Sequence, residues 1–90
     1  MDGNTLIRRR AGLIEAEVDG ELIGLHIDNG TCYGFNETAT RVWGLIDEPH
    51  TISEICQALA SEFDVPPDRC RGEVSALLRD LHADGLIALE

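Results

Sequence analysis

The stretch Asn29-Gly-Thr-Cys-Tyr-Gly-Phe-Asn-Glu-Thr-Ala-Thr-Arg-Val-Trp43 holds the chain's single Tyr, its single Trp and one of its two Phe. As far as Phe35 it has the short, aromatic-rich character of a β-strand. Asn36 is a residue type that accepts the free N–H groups of a helix start. Beyond it Ala39, Val42, Trp43 and Ile46 recur at i, i+3, i+4 and i+7, one face of a helix. The chain therefore changes from sheet to helix at Asn36.

Working upstream, Leu13–Val18 alternates, with Ile14, Ala16 and Val18 on one face and Glu15 and Glu17 on the other. Asp19-Gly20 is a hairpin signal. Glu21–Ile27 alternates again through Ile23, Leu25 and Ile27, and a turn at Asp19-Gly20 sets Ala16 beside Ile23 and Ile14 beside Leu25. For the next turn, a two-residue Asn29-Gly30 loop sends Tyr33 and Phe35 to the acidic face. A three-residue Asp28-Asn29-Gly30 loop, with Gly30 left-handed in a bulge, pairs Ile27 with Thr31, Leu25 with Tyr33 and Ile23 with Phe35. Because a one-residue slip moves every side chain to the other face, burial of the aliphatic rows is expected to enforce the bulged register.

Downstream, Glu48-Pro49 ends the first helix and Thr51-Ile-Ser-Glu54 is a capping box opening the second. The second helix has Ile52, Ile55, Cys56, Leu59 and Phe63 on its apolar row, and Asp64-Val-Pro-Pro67 breaks it. The third carries a Cys70, Val74, Leu77, Leu81 stripe, with Gly85 at its end and Leu86–Leu89 leaving as an extended tail. The expected domain is α+β, winged-helix-like, a three-stranded antiparallel sheet (strands about 13–35) followed by a three-helix bundle (helices about 37–47, 52–63 and 67–84), spanning residues 1–90.

Composition narrows function. The net charge is −10, with 17 Asp and Glu against seven Arg and no Lys. Such a surface repels phosphate backbones and anionic membranes, so neither nucleic acid nor membrane is expected as a partner. Residues 1–10 lack the apolar run of a secretion signal and no stretch approaches the ~18 apolar residues of a membrane span, so the expected location is cytoplasmic. Cys32, Cys56 and Cys70 are odd in number, form no C-x-x-C pair and combine with His26, His50 and His82 in no metal-ligand spacing. No metal or cofactor is expected, and the cysteines read as reduced structural thiols. Arg8, Arg9 and Arg10, the one basic run, read as an exposed end.

Two features of the opening stretch point to a partner. Thr31–Phe35 is the last strand of the meander and hence an edge, without the charge or Pro that normally protects one. It also contains Gly34, where a second backbone can come close. Tyr33, Phe35 and Trp43 themselves are explained by joining sheet to helix in one core.

The pattern Asp28, Gly30, Tyr33-x-Phe35-Asn36, Ala39, Val42-Trp43-x-Leu45-Ile46, then Thr51-Ile-x-Glu54-Ile and Phe63-x-Val65, resembles the PqqD-like family over about Leu13–Leu86. Where this chain has Phe35 the family more often has Leu. The family comprises leader-peptide (RiPP) recognition elements, including the stand-alone subunits of lasso-peptide pathways. The resemblance implies a non-catalytic module that captures a precursor's leader peptide as an added β-strand, between the last strand and the third helix. It would hand that peptide to a peptidase, cyclase or radical SAM processing enzyme of the pathway. The implied peptide-binding residues are Thr31, Cys32, Tyr33, Gly34 and Phe35 on the edge and Arg71, Val74, Ser75, Leu78 and His82 on the third helix. Arg71, Ser75, Leu78 and His82 form one i, i+4-like row, suited to a leader with apolar and acidic side chains. A DNA-binding winged helix is the alternative, but its reading helix would carry Arg69, Arg71 and Arg79 against Asp68, Glu73, Asp80 and Asp84. A Cys–His enzyme needs an activated thiol, and Cys56 and Cys70 lie on core stripes.

Overall fold

Asn36 caps the first helix as its position demands: its side-chain oxygen accepts the Ala39 N–H at 2.8 Å. The computed structural model describes residues 4–19 and 21–90. In chain order the elements are β1 (Leu6–Arg9), β2 (Leu13–Val18), β3 (Glu21–His26), β4 (Cys32–Phe35), α1 (Glu37–Leu45), β5 (His50–Thr51), α2 (Ile52–Glu62), α3 (Pro67–Ala83) and β6 (Ile87–Leu89). The result is a small mixed domain of antiparallel sheets and three helices.

The helix boundaries follow from local chemistry. Thr51 and Glu54 form a reciprocal capping box: the Glu54 N–H donates to Thr51 Oγ1 at 3.2 Å, and the Thr51 N–H donates to Glu54 Oε1 at 2.8 Å. Pro67 occupies the first turn of α3, where its missing N–H costs nothing. At the far end Gly85 takes φ +74°, and Leu86 N–H returns to Leu81 C=O at 2.9 Å. Ile52, Ile55 and Leu59 of α2 and Cys70, Val74, Leu78 and Leu81 of α3 pack with Val42, Trp43 and Ile46 into the core.

β2, β3 and β4 form the expected antiparallel meander, and Ala16 does pair with Ile23 and Ile14 with Leu25. Asp19 turns at φ 54°; Gly20, the other half of that turn, lies outside the described residues. The second turn departs from expectation. Leu25 pairs with Cys32, Gly24 with Tyr33 and Leu22 with Phe35, and His26 N–H reaches Thr31 C=O at 2.9 Å, so residues 27–30 form the loop. Gly30 is left-handed at φ +72°, but the expected Ile27–Thr31, Leu25–Tyr33 and Ile23–Phe35 pairs do not form.

This register reverses the sheet. Tyr33 and Phe35 share their face with Leu13, Leu22, Gly24 and His26, and that face meets the helices. The aliphatic rows, expected in the core, lie outside: Ile14 is 54% exposed, Val18 50% and Ile27 60%. Alternation separates two faces of a strand without saying which one is covered. Here the ring contacts decide, because Phe35 packs 5.8 Å from Trp43 between centroids and Tyr33 lies 6.4 Å from Phe35. Gly24 adds a second reason: a Cβ there would fall 2.8 Å from the Leu13 methyl carbons, so Leu13 covers this bare backbone.

A second sheet was not expected. β1 lies between β5 and β6, pairing Ile7 with His50 and with Leu89. Ile7 and Ile87 are buried, so the segments read as a free end and a tail close the core. Arg9 is correspondingly not a free end: its guanidinium carbon stacks 4.6 Å from the Trp43 ring centroid, its Nε donates to Trp43 C=O at 2.8 Å, and Glu15 and Asp47 lie 3.6 Å away. Runs of three and four residues are too short to signal pairing when their partners are so distant in sequence.

Candidate functional site

β4 is the last strand of its sheet, and the register fixes which of its groups are unpaired. His26 and Thr31 are hydrogen-bonded, so the alternation of an antiparallel ladder makes Tyr33 and Phe35 the next residues bonded to β3. The N–H and C=O groups of Cys32 and Gly34 therefore point to the open edge.

Beside this edge runs a groove of about 570 Å³. One wall is Cys32–Asn36 with Ala39; the other is α3 and its end, through Leu77, Asp80, Leu81 and Asp84. Phe35 and Leu81 are buried and give an apolar floor. A second hollow of about 370 Å³ continues between α1 and α3, sharing Asn36, Ala39 and Leu77 and reaching Val42 and Val74.

The far end is tied by three side chains. Tyr33 Oη donates to Asp84 Oδ2 at 2.6 Å. Burial and the adjoining Asp84 carboxylate push the Tyr33 hydroxyl up to about 12, so it remains a donor at any physiological pH. His26 is buried, with Nε2 2.8 Å from Asp84 C=O and Nδ1 3.2 Å from the Asp28 N–H. With Nδ1 accepting, the proton belongs on Nε2, and both ring nitrogens of a neutral imidazole are satisfied. These bonds tie β3 and β4 to the end of α3.

The edge residues Cys32, Tyr33, Gly34 and Phe35 all line the groove, with Thr31 exposed at its loop end. Of the helix residues inferred from sequence, Val74 lines the adjoining hollow, but the others do not come to this site. Arg71 borders a separate hollow against α2 with Ser53 and Cys56. Ser75 and His82 face Leu89 of β6. Leu78 is fully buried. At about 100° of rotation per residue, the row 71, 75, 78, 82 lies roughly 140° around the helix from the Leu77, Asp80, Leu81, Asp84 side. Leu77 and Leu81 were legible as stripe residues; Asp80 and Asp84 sit three and seven positions after Leu77, a spacing that marks them as groove residues once that side is known to face β4. Their carboxylates put negative charge on this wall of the groove, whereas Arg71 lies at a separate hollow.

For chemistry, the Cys56 thiol is unpromising. Burial and the neighbouring Cys70 push the Cys56 thiol up, away from the reactive thiolate. Among the described residues no group of three His, Cys, Asp or Glu could hold a metal ion, and no helix is long and apolar enough to cross a membrane.

Comparison with known proteins gives a consistent picture. The family model described as coenzyme PQQ synthesis protein D (PqqD) matches residues 21–87. A solved structure of TbiB1 in complex with the TbiA(beta) leader peptide is 26% identical, with a TM-score of 0.77 over 89% of this chain and 93% of that one. Lasso peptide synthetase B1 complexed with its leader peptide is 23% identical, with a TM-score of 0.78 over 91% of this chain and 96% of the other. The PqqD truncation of Methylobacterium extorquens PqqCD, described as a functional stand-alone RiPP recognition element, is 19% identical, with a TM-score of 0.77 over 98% and 94%. The last two speak to the fold alone. No curated protein sequence matches the chain.

Proposed function

Because this chain belongs to the PqqD family, we propose that it is a leader-peptide recognition element, which binds the leader of a ribosomally synthesised precursor as a strand added to β4. The observation that carries this reading is the open β4 edge beside an apolar-floored groove of about 570 Å³. Backbone bonds to Cys32 and Gly34 give affinity, and leader side chains on the groove side rest on Phe35, Leu77 and Leu81. TbiB1, solved in complex with the TbiA(beta) leader peptide, supports leader binding by this fold.

The module presents the peptide to a peptidase, cyclase or radical SAM enzyme, in a pathway of the lasso type, and does no chemistry itself. The whole chain works as one cytoplasmic domain whose sheet and helices resemble a winged helix, but the acidic α3 lacks the cations that reading DNA would need. Asp80 and Asp84 favour a leader with Arg or Lys near its groove-side apolar residues.

The test is calorimetric titration of the chain with the leader of its own precursor. Gly34→Pro removes an N–H that points away from β3, a placement that proline tolerates on an edge strand. It is expected to fold and to bind the leader a few-fold to about tenfold more weakly, the worth of one net hydrogen bond of ~0.5–1.5 kcal/mol. Gly34→Ala, whose Cβ meets nothing within 4 Å, keeps that N–H and should bind like wild type. Equal affinities for all three proteins would remove the added strand from β4. Affinity should also fall as salt rises; a rise would mean an acidic leader and a wrong assignment for Asp80 and Asp84.

A further inference from the structure

The exposed aliphatic face of β2–β3–β4 is the largest feature that leader binding does not use. Ile14, Leu25 and Cys32 lie abreast across the three strands, with Ala16, Ile23 and Gly34 abreast beside them. Val18 and Ile27 extend the patch at its two ends. All are exposed, and aliphatic side chains gathered on one side of a sheet mark an interaction surface rather than the scattered apolar exposure of any protein.

Charge identifies the kind of partner. Residues 13–35 contain Glu15, Glu17, Asp19, Glu21 and Asp28 and no Lys or Arg. Glu21 stands on the aliphatic face beside Val18, Asp19 turns at the same end, and Asp28 follows Ile27 at the other. A second copy laid on this face would set one acidic border against another, and each chain carries −10 in total. A partner with an apolar patch bordered by Lys and Arg meets both features at once.

Position identifies the partner's task. Cys32 and Gly34 belong to this face, and theirs are the backbone groups that open to the leader edge. A strand added to β4 would extend the same face by its own outward side chains. We infer that the outer face of β2–β3–β4 docks a processing enzyme of the same pathway through an apolar, basic-bordered surface, which would touch the sheet and the outward side of the bound leader together. This rests on the leader-binding reading above for its last clause alone; the docking surface itself stands on exposure and charge.

The experiment titrates each processing enzyme encoded with the chain against wild type and against Ile14→Thr/Leu25→Thr/Ile27→Thr, with and without saturating leader. Threonine preserves strand propensity while removing apolar surface. Leader affinity of the triple variant should stay within twofold of wild type. One enzyme should bind wild type, more tightly at low salt, and bind the triple variant at least tenfold more weakly. If the triple variant fails to fold by circular dichroism, Ile27→Lys in the loop replaces it, with a loss of at least fivefold expected. An enzyme that binds wild type and variant equally would overturn the inference, as would the absence of any enzyme binding to leader-loaded wild type. Sedimentation of wild type as a dimer that the variant dissolves would assign the face to a second copy and overturn it as well. Failure of the leader itself to bind, with enzyme binding still lost in the variant, would contradict the leader reading and leave the docking surface standing.

Discussion

Leu78→Asp is expected to leave the chain without a cooperative unfolding transition. Leu78 is fully buried between α3 and the rest of the core, among the residues that join all three helices. Truncating such a leucine costs ~2–5 kcal/mol, so Leu78→Ala should already be strongly destabilised. An aspartate adds a carboxylate that must be either desolvated or protonated in an apolar interior, at several kcal/mol more. A small domain has about 5–15 kcal/mol in total, and ninety residues belong toward the lower end. Circular dichroism through thermal and urea denaturation checks this. A folded Leu78→Asp protein would mean that this side chain reaches solvent, as its place in the Arg71–His82 row implied.

The second large effect is expected at Trp43. The ring is 3% exposed, packs on Phe35 and lies under the Arg9 guanidinium. Trp43→Ala removes a large core side chain, a change that typically costs ~3–5 kcal/mol, and removes the ring on which Arg9 stacks. The melting temperature of a domain this small falls roughly 4–8 °C per kcal/mol, so a loss above ten degrees is expected. Trp43→Phe should lose much less, because Trp43 Nε1 has no hydrogen-bond partner among the described residues and its removal sacrifices none. A Trp43→Ala protein melting near wild type would place the ring outside the core and make it a candidate partner contact.

What the sequence made legible was local. The Asn36 cap, the Thr51–Glu54 box, Pro67 at the start of α3 and left-handed Gly85 at its end each follow from residue types acting within a few positions. The β2–β3 register was legible for the same reason. Burial was harder, because it depends on what the folded chain lays over each face. Ile14, Ile23 and Leu25 read as core by every measure of hydropathy, yet aromatic contacts and the Tyr33 and His26 bonds to Asp84 turn the other face inward. The β1 and β6 strands were hidden because each is short and its partner lies far away in sequence. On α3 the helix itself was clear, but which of its sides meets β4 was not: Leu77, Asp80, Leu81 and Asp84 line the groove, while the row Arg71, Ser75, Leu78 and His82 lies roughly 140° away around the helix. The strand side of the groove needed no rotational guess, and Cys32 to Phe35 line it.

The most direct test of strand addition is amide hydrogen exchange at β4, measured residue by residue by NMR in the free chain and with saturating leader. In the free chain the Cys32 and Gly34 amides, which open to the edge, should exchange fast, while those of Tyr33 and Phe35 are held by β3. On leader binding Cys32 and Gly34 should become protected by at least about a hundredfold, equivalent to ~2.7 kcal/mol of added local stability. A leader that binds with calorimetric heat while both amides go on exchanging as in the free protein would contradict strand addition at β4.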